Sequence, residues 1–258
     1  MKGTRIAALA VLALGSVGRA DAGSWKFSVA PYAWATSIKT DVAVNDEQVA
    51  SSDIEFSDLV DKVDFTAQVH AEAQRGAHGV LLDVFNVKLS DDDRTFAVPM
   101  VPGAQATAAG DFRLTVVELG GVFDPRGDQR GVALLYGARV FDRSGSVDAQ
   151  FDLGPGMTLT RSYEAGDTLV DAMVGVRYWG GISDHWSYQL RVDASSGGTN
   201  LSWSAGAGVS YAFGDSGRYA LVLGYRHMDI DFDPDSDHAD LNVDATLSGA
   251  LAGFKLSF

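Results

Sequence analysis

The feature that most constrains the fold is a strict alternation of apolar and polar residues from Trp186 to Phe213. Side chains of a β-strand point alternately to opposite faces, so one face of this segment is apolar and the other is polar. The Gly197-Gly198 dipeptide interrupts the alternation and predicts a turn between two antiparallel strands. Soluble β-sandwiches have the same period, so the alternation does not by itself identify what covers the apolar face.

The first 22 residues have the pattern of a secretory signal peptide. Two basic residues precede an apolar stretch from Ile6 to Val17, and an A-x-A cleavage site ends at Ala22. No later segment approaches the roughly 18 uninterrupted apolar residues of a transmembrane helix. We therefore expect residues 1–22 to be a signal peptide and residues 23–258 to form one exported domain. Such a domain is a membrane barrel or a soluble periplasmic β-protein.

Segments that resemble strands recur along the whole exported domain, and their connections alternate in length. Short connections follow the second, fourth, sixth and eighth segments, whereas longer ones follow the others, except for a short one at 196–198. Outer-membrane barrels have short periplasmic turns, longer outer loops and an even number of strands. The sequence thus predicts an all-β fold, a transmembrane antiparallel up-and-down β-barrel of about ten strands, with eight or twelve as alternatives. The predicted strands are 24–38, 63–75, 78–90, 111–124, 130–143, 167–181, 184–195, 199–213, 217–232 and 242–258.

The net charge limits which partners are expected, and the cysteine content shows whether disulfides can form. The formal net charge is −14, which argues against nucleic acid as a partner, and the absence of cysteine excludes disulfides. Much of the acid falls in predicted outer loops, including Asp91–Asp93 and Asp229–Asp240. Pro234 stands where a calcium loop needs glycine, so we expect a solvated acidic loop, loosely bridged to lipopolysaccharide through divalent cations. No metal or cofactor is predicted.

Charged residues on the polar faces of the strands are the candidate functional residues, because these faces would line the lumen. An unpaired desolvated charge is costly, so ion pairs are expected, with Asp171 and Arg177 meeting Arg191 and Asp193 on the next strand. Ten strands lie near the size at which side chains fill the bore. Two interpretations stay open, a salt-bridged structural barrel and a narrow porin-like channel for ions or very small solutes. The predicted lumen-facing set is Lys26, Glu72, Asp83, Glu118, Arg139, Asp171, Arg177, Arg191, Asp193, Arg226 and Lys255.

Three alternatives to a structural or channel function are a lipid A deacylase, an omptin-like protease and a surface-binding barrel. The triplet His185-Trp186-Ser187 resembles the H-x-S element of outer-membrane lipid A deacylases, but it falls at the predicted periplasmic end. The pair His227 and Asp229 resembles the His/Asp partnership of omptin proteases, which also needs a second acidic couple. The chain has no Gly-x-Ser-x-Gly or His-Glu-x-x-His motif, so no enzymatic activity is expected. The third alternative is a surface-binding barrel that acts through its outer loops, where 56–62 is expected to form one helical turn.

The last segment places Phe254, Leu256 and Phe258 on one face, with Gly253 among them. This ending resembles the signal that is read by the barrel assembly machinery of the outer membrane. The resemblance implies that this machinery is a partner during biogenesis, and it assigns Gly253, Leu256 and Phe258 to the signal.

Several short stretches, in their order along the chain, resemble an uncharacterised family of bacterial outer-membrane β-barrel proteins that are porin-like in fold. The resemblance implies an integral protein of the Gram-negative outer membrane, surrounded by its lipids and lipopolysaccharide, and it carries no catalytic residue. We expect a monomer. The matching stretches are Trp25, Pro31 to Ala35, Phe56 to Leu59, Asp64-Phe65, Val174 to Trp179, Gly224 to Arg226, Asp229, Asp231 and Ser248 to Phe258.

Overall fold

The computed structural model describes residues 24–44, 47–54, 63–97, 105–152, 158–214, 216–232 and 241–258. Within these residues the chain forms eleven antiparallel strands. None of the described residues forms a helix that is long and apolar enough to cross a membrane. The strands are β1 (Lys26–Val44), β2 (Glu47–Ile54), β3 (Val63–Arg75), β4 (His78–Ala97), β5 (Gln105–Phe123), β6 (Gly131–Asp152), β7 (Thr158–Gly181), β8 (Trp186–Gly197), β9 (Leu201–Phe213), β10 (Tyr219–Phe232) and β11 (Leu241–Ser257).

Ten of these strands close into one barrel, which confirms the predicted fold and strand count. Neighbours in sequence pair in turn from β3 to β11, and β11 pairs with β1 along most of its length. The early part of β1, Lys26–Pro31, pairs with β3. Its later part, Ile38–Val44, pairs with the short strand β2, which lies inside the predicted first outer connection. The remaining strand, β2, pairs with the later part of β1 only and is not one of the ten strands of the closed barrel.

Strands β4 to β7 continue well beyond the positions predicted for their ends. The hairpin of β6 and β7 is paired as far as Asp152 and Thr158. The expectation that Asp91–Asp93 form a loop is wrong, because β4 runs through them to Ala97 with a bulge between Asp91 and Arg94. Polar residues paired above a membrane need no apolar face, so the hydrophobic pattern did not reveal them. The signal peptide, the 56–62 turn and most of the acidic segment after Asp231 lie outside the described residues.

The outer surface of the barrel carries a continuous band of large apolar side chains. Leu119 and Val174 are 63% and 66% exposed, although a water-soluble protein buries such residues. Aromatic residues stand at the edges of the band, as in the girdles of membrane barrels. Because every backbone group in a closed sheet is paired, this surface is stable against hydrocarbon. The exposed aromatic residues of the band include Trp25, Phe27, Tyr136, Tyr178, Trp186, Trp203, Phe213, Tyr219, Tyr225 and Phe254.

Candidate functional site: the barrel interior

The candidate site is the interior of the barrel, which differs between its two ends. One end carries the brief connections at 76–77, 124–130 and 182–185, and we call it the short-turn end. The opposite end, where β4 to β7 project, is the long-loop end. From the long-loop end to the short-turn end, the interior holds an apolar layer, a charged layer and an open cavity.

The charged layer is centred on Glu118, which projects inward from β5. Its carboxylate accepts hydrogen bonds from Arg139 at 2.9 Å, Arg191 at 2.7 Å and Arg226 at 2.8 Å. Asp193 binds two of the same guanidinium groups, with Arg191 Nε at 2.7 Å from its Oδ2 and Arg139 in direct contact with its Oδ1. Ser204 also donates to Asp193 at 3.0 Å. Two acids and three arginines from four strands thus form one network.

A second cluster adjoins the first, because Asp83 on β4 pairs across the ladder with Glu118 on β5. Arg177 donates two hydrogen bonds to Glu72, at 2.7 and 2.9 Å, in the forked geometry that matches a guanidinium to a carboxylate. Asp83 accepts a hydrogen bond from the hydroxyl of Tyr32 at 2.9 Å, and its other oxygen lies 3.0 Å from His70 Nδ1. Arg226 Nη1 lies 3.7 Å from Asp83 and so joins the two clusters.

Asp171 is not part of the charged network and instead forms hydrogen bonds near the long-loop end. It accepts hydrogen bonds from the backbone amide of Thr199 at 2.8 Å, from the Thr199 hydroxyl at 2.6 Å and from Ser195 at 2.9 Å. These bonds hold the brief connection between β8 and β9. Our expectation that Asp171 and Arg177 meet Arg191 and Asp193 is therefore wrong. Asp171 binds Thr199 and Ser195, and Arg177 binds Glu72.

Apolar side chains fill the interior between the charged layer and the long-loop end. Phe141 and Ile230 are 0% exposed, and Trp34 stacks edge-on against Phe85 with ring centres 5.2 Å apart. This apolar layer consists of Trp34, Ile38, Phe85, Val87, Leu114, Val116, Phe141, Met228, Ile230, Phe232 and Leu247.

The apolar layer was not predicted from the sequence, although the phase of the alternation contains a signal for it. In β10 the apolar residues face outward from Tyr219 to Tyr225 and inward from Met228 to Phe232. The phase changes where the strand leaves the apolar band, because the outward side then meets polar surroundings. Such a change of phase within one strand predicts a lumen that is packed at that level.

A cavity of about 460 Å³ occupies the interior at the short-turn end. One wall is formed by small inward residues of β9, among them Gly206, Gly208 and Ser210. Charged and aromatic groups face them, including Arg177, Trp179 and Lys255. The rim carries residues of the turns at 128–130 and 183–185, so the cavity opens at this end.

The two sequence elements that resemble parts of hydrolase sites lie in different parts of the barrel. His185 Nδ1 lies 3.2 Å from the carbonyl oxygen of Ala212, and Ser187 is hydrogen-bonded to Ser210 at 2.7 Å, at the short-turn end. His227 is on the outer surface, where its Nδ1 lies 2.6 Å from the Ser248 hydroxyl and its ring packs on Trp203.

The neighbouring Asp229 accepts a hydrogen bond from Thr246 at 2.9 Å. Across the described ranges, no group of three or more histidine and acidic side chains is arranged to hold a metal ion.

The structure brings most of the predicted lumen-facing residues together in the interior. Lys26 differs, since it is exposed at the first position of β1. Among the residues assigned to the assembly signal, Gly253 lines the cavity and Leu256 pairs with Val29. Phe258 exchanges two backbone hydrogen bonds with Phe27. The predicted residues that lie inside are Glu72, Asp83, Glu118, Arg139, Asp171, Arg177, Arg191, Asp193, Arg226 and Lys255.

No protein-family model matches the chain, and no curated protein sequence matches it. Several solved structures of bacterial β-barrels match the chain. The attachment invasion locus protein Ail of Yersinia pestis is 13% identical, with 91% of this chain and 99% of that chain covered and a TM-score of 0.28. The outer membrane protease OmpT of Escherichia coli is 9% identical, with 91% and 96% covered and a TM-score of 0.44. The toluene transporter TodX of Pseudomonas putida is 12% identical, with 93% and 91% covered and a TM-score of 0.33.

These neighbours are outer-membrane β-barrels with different roles. Likenesses this weak carry no argument about this chain. The location of the chain follows from its own features, which are a closed sheet, an outer apolar band with aromatic girdles, and paired charged residues inside. The protein is an integral β-barrel of the bacterial outer membrane.

Proposed function

We propose that the protein is a structural outer-membrane barrel whose lumen does not conduct. The observation that carries this proposal is the burial of the apolar layer, in which Phe85, Phe141 and Met228 are 2%, 0% and 1% exposed. A water-filled pore wets the side chains that line it. Side chains that no water molecule can touch therefore leave no aqueous path at their level.

The charged layer below supports the same conclusion. Glu118 has three guanidinium partners, and Arg139 is fully buried between acids on β5 and β8. An ion that passed this level would have to displace one of these pairs, which leaves a buried charge without its partner at a cost of about 3–5 kcal/mol. A porin-like passage of small solutes is therefore not part of the proposal.

The test is a planar-bilayer recording of the refolded barrel. Wild-type protein is expected to give no conductance steps above the baseline. A double variant, Phe85→Ala with Phe141→Ala, removes two large side chains from the apolar layer and is expected to give small steps. The control, Leu221→Ala with Leu223→Ala, removes side chains of the outer surface and is expected to stay silent. Regular steps from the wild-type protein would overturn the proposal.

A hydrolase is not part of the proposal either. His227 faces outward and is engaged by Ser248 and Trp203, while His185 and Ser187 each bind other groups. Any lipid- or peptide-cleaving activity that wild-type protein has and His227→Ala lacks would reopen this alternative.

A second candidate function, surface binding through the outer loops, is favoured by the length of β6 and β7. These strands have 22 and 24 residues, whereas about 9–11 suffice to cross hydrocarbon. Their paired ends therefore stand above the membrane as a wall. Replacing residues 147–163 by a two-residue turn should leave a folded barrel and remove adhesion of expressing cells to coated surfaces, if this function is correct. Unchanged adhesion would exclude it.

A further inference from the structure

We propose that the cavity at the short-turn end binds a small organic anion, namely an anionic head such as a carboxylate on a compact apolar body. This inference goes beyond a structural role, because it assigns a ligand to the face that is turned away from the long loops. It depends on the cavity itself and not on whether the lumen conducts.

The space for a ligand exists because one wall is built from very small residues. The inward positions of β9 are all small, whereas the facing strands carry larger inward groups such as Arg177 and Lys255. The inward residues of β9 are Ser202, Ser204, Gly206, Gly208, Ser210 and Ala212. The resulting volume of about 460 Å³ falls in the range of about 300–1,000 Å³ that is typical of small-molecule sites. A barrel of this size is ordinarily filled by its side chains, so an unfilled half is a built feature.

The charge that faces this space is positive and incompletely compensated. Lys255 lines the cavity and has no carboxylate within 4.0 Å among the described residues. The nearby acid, Glu72, is already bound through both oxygens by Arg177. The Nε of Arg177 is itself buried without a hydrogen-bond acceptor within the described part of the chain. A half-buried cation without a carboxylate partner is costly, so an anion that entered here would gain a charge partner in Lys255.

The apolar part of the ligand follows from the groups around these cations. The guanidinium carbon of Arg177 lies 3.8 Å from the centre of the Trp179 ring, and Lys255 Nζ lies 5.9 Å from it. Val222 and Leu251 continue the apolar lining beside them. A ligand that places its anionic head at Lys255 therefore meets an aromatic and aliphatic surface with the rest of its body.

The experiment uses the full-length barrel refolded in zwitterionic detergent and the probe 4-fluorobenzoate, followed by ¹⁹F NMR. The neutral analogue 4-fluorobenzyl alcohol has the same ring and corrects for partition into micelles. We expect saturable binding of the benzoate and at least tenfold weaker binding of the alcohol. The variant Lys255→Gln is expected to weaken benzoate binding at least tenfold, and the matched control Lys26→Gln is expected to leave it unchanged.

A second variant keeps the test independent of any folding defect at position 255. Ala30→Phe adds a ring to the cavity wall without changing charge, and it should also weaken benzoate binding at least tenfold. Equal affinity for the alcohol and the benzoate, or an unchanged affinity in both the Lys255→Gln and the Ala30→Phe variants, would overturn the proposal. Absence of saturable binding to the wild-type protein would overturn it as well. Bilayer recordings do not bear on any of these outcomes, so the two proposals fail separately.

Discussion

Arg139 illustrates how a single inward residue links several strands of the barrel wall. It projects from β6 and reaches Glu118 on β5 and Asp193 on β8, and its remaining donors approach Ser195 and Ser202. The inward direction of Arg139 could be predicted from the alternation alone. Its partners could not, because a contact between non-adjacent strands depends on the curvature and diameter of the closed barrel, which no local pattern contains.

We expect Arg139→Met to lower the free energy of unfolding by about 3–5 kcal/mol, because it leaves buried carboxylates short of a partner. The matched change Arg143→Met removes a guanidinium four residues further along β6. Arg143 binds Asp167 where both side chains meet solvent, so its loss should cost at most about 1 kcal/mol. Urea unfolding in detergent, followed by tryptophan fluorescence, measures both. Equal losses in the two variants would contradict the importance of burial.

Among the strands, the segments that cross the membrane were predicted from the sequence, whereas the extensions of β4 to β7 above the membrane were not. Apolar alternation marks the band, so the starts of β3, β4 and β8 fall within two residues of the predicted positions. The extensions of β4 to β7 carry polar residues on both faces, and a polar pattern does not distinguish a paired strand from a loop. At one position of the wall, Gly120 of β5 and Gly137 of β6 pair directly across the ladder.

We expect Gly137→Ala to destabilise the barrel by about 1–3 kcal/mol, since the added methyl group would collide with the carbonyl oxygen of Leu119 on β5. Gly145→Ala is the control on the same strand. A methyl group there has its nearest neighbour, the Asp111 carbonyl oxygen, at 3.6 Å, so the stability should change by less than about 1 kcal/mol. The temperature at which the folded band disappears on a semi-native gel compares the two. A neutral Gly137→Ala variant would show that β5 and β6 are not held this close.

For the whole molecule, the rhythm of long and short connections was sufficient to predict ten strands and closure. The contents of the lumen were not predictable in the same way. Whether ten strands enclose a pore, a cavity or a packed core depends on the summed volume of inward side chains, and here the two ends differ. Large residues such as Phe141 fill one half, and glycine and serine leave the other half open.

The surroundings of the barrel can be tested by placing charge at two heights on the outer face of β7. Val174→Arg lies within the apolar band, and in hydrocarbon it should cost about 2–4 kcal/mol. Thr168→Arg lies six residues closer to the long-loop end and should cost about 0–1 kcal/mol. Refolding equilibria in lipid vesicles measure both. If the outer face met water, arginine at position 174 would be harmless, and the difference between the variants would vanish.

The apolar layer has a consequence for the cell that carries the protein. Under the proposed function, side chains fixed to the wall close the lumen, so closure needs neither a separate plug nor a moving segment. If recordings show that the lumen does not conduct, a cell could hold many copies of such a barrel without making its envelope permeable to small solutes.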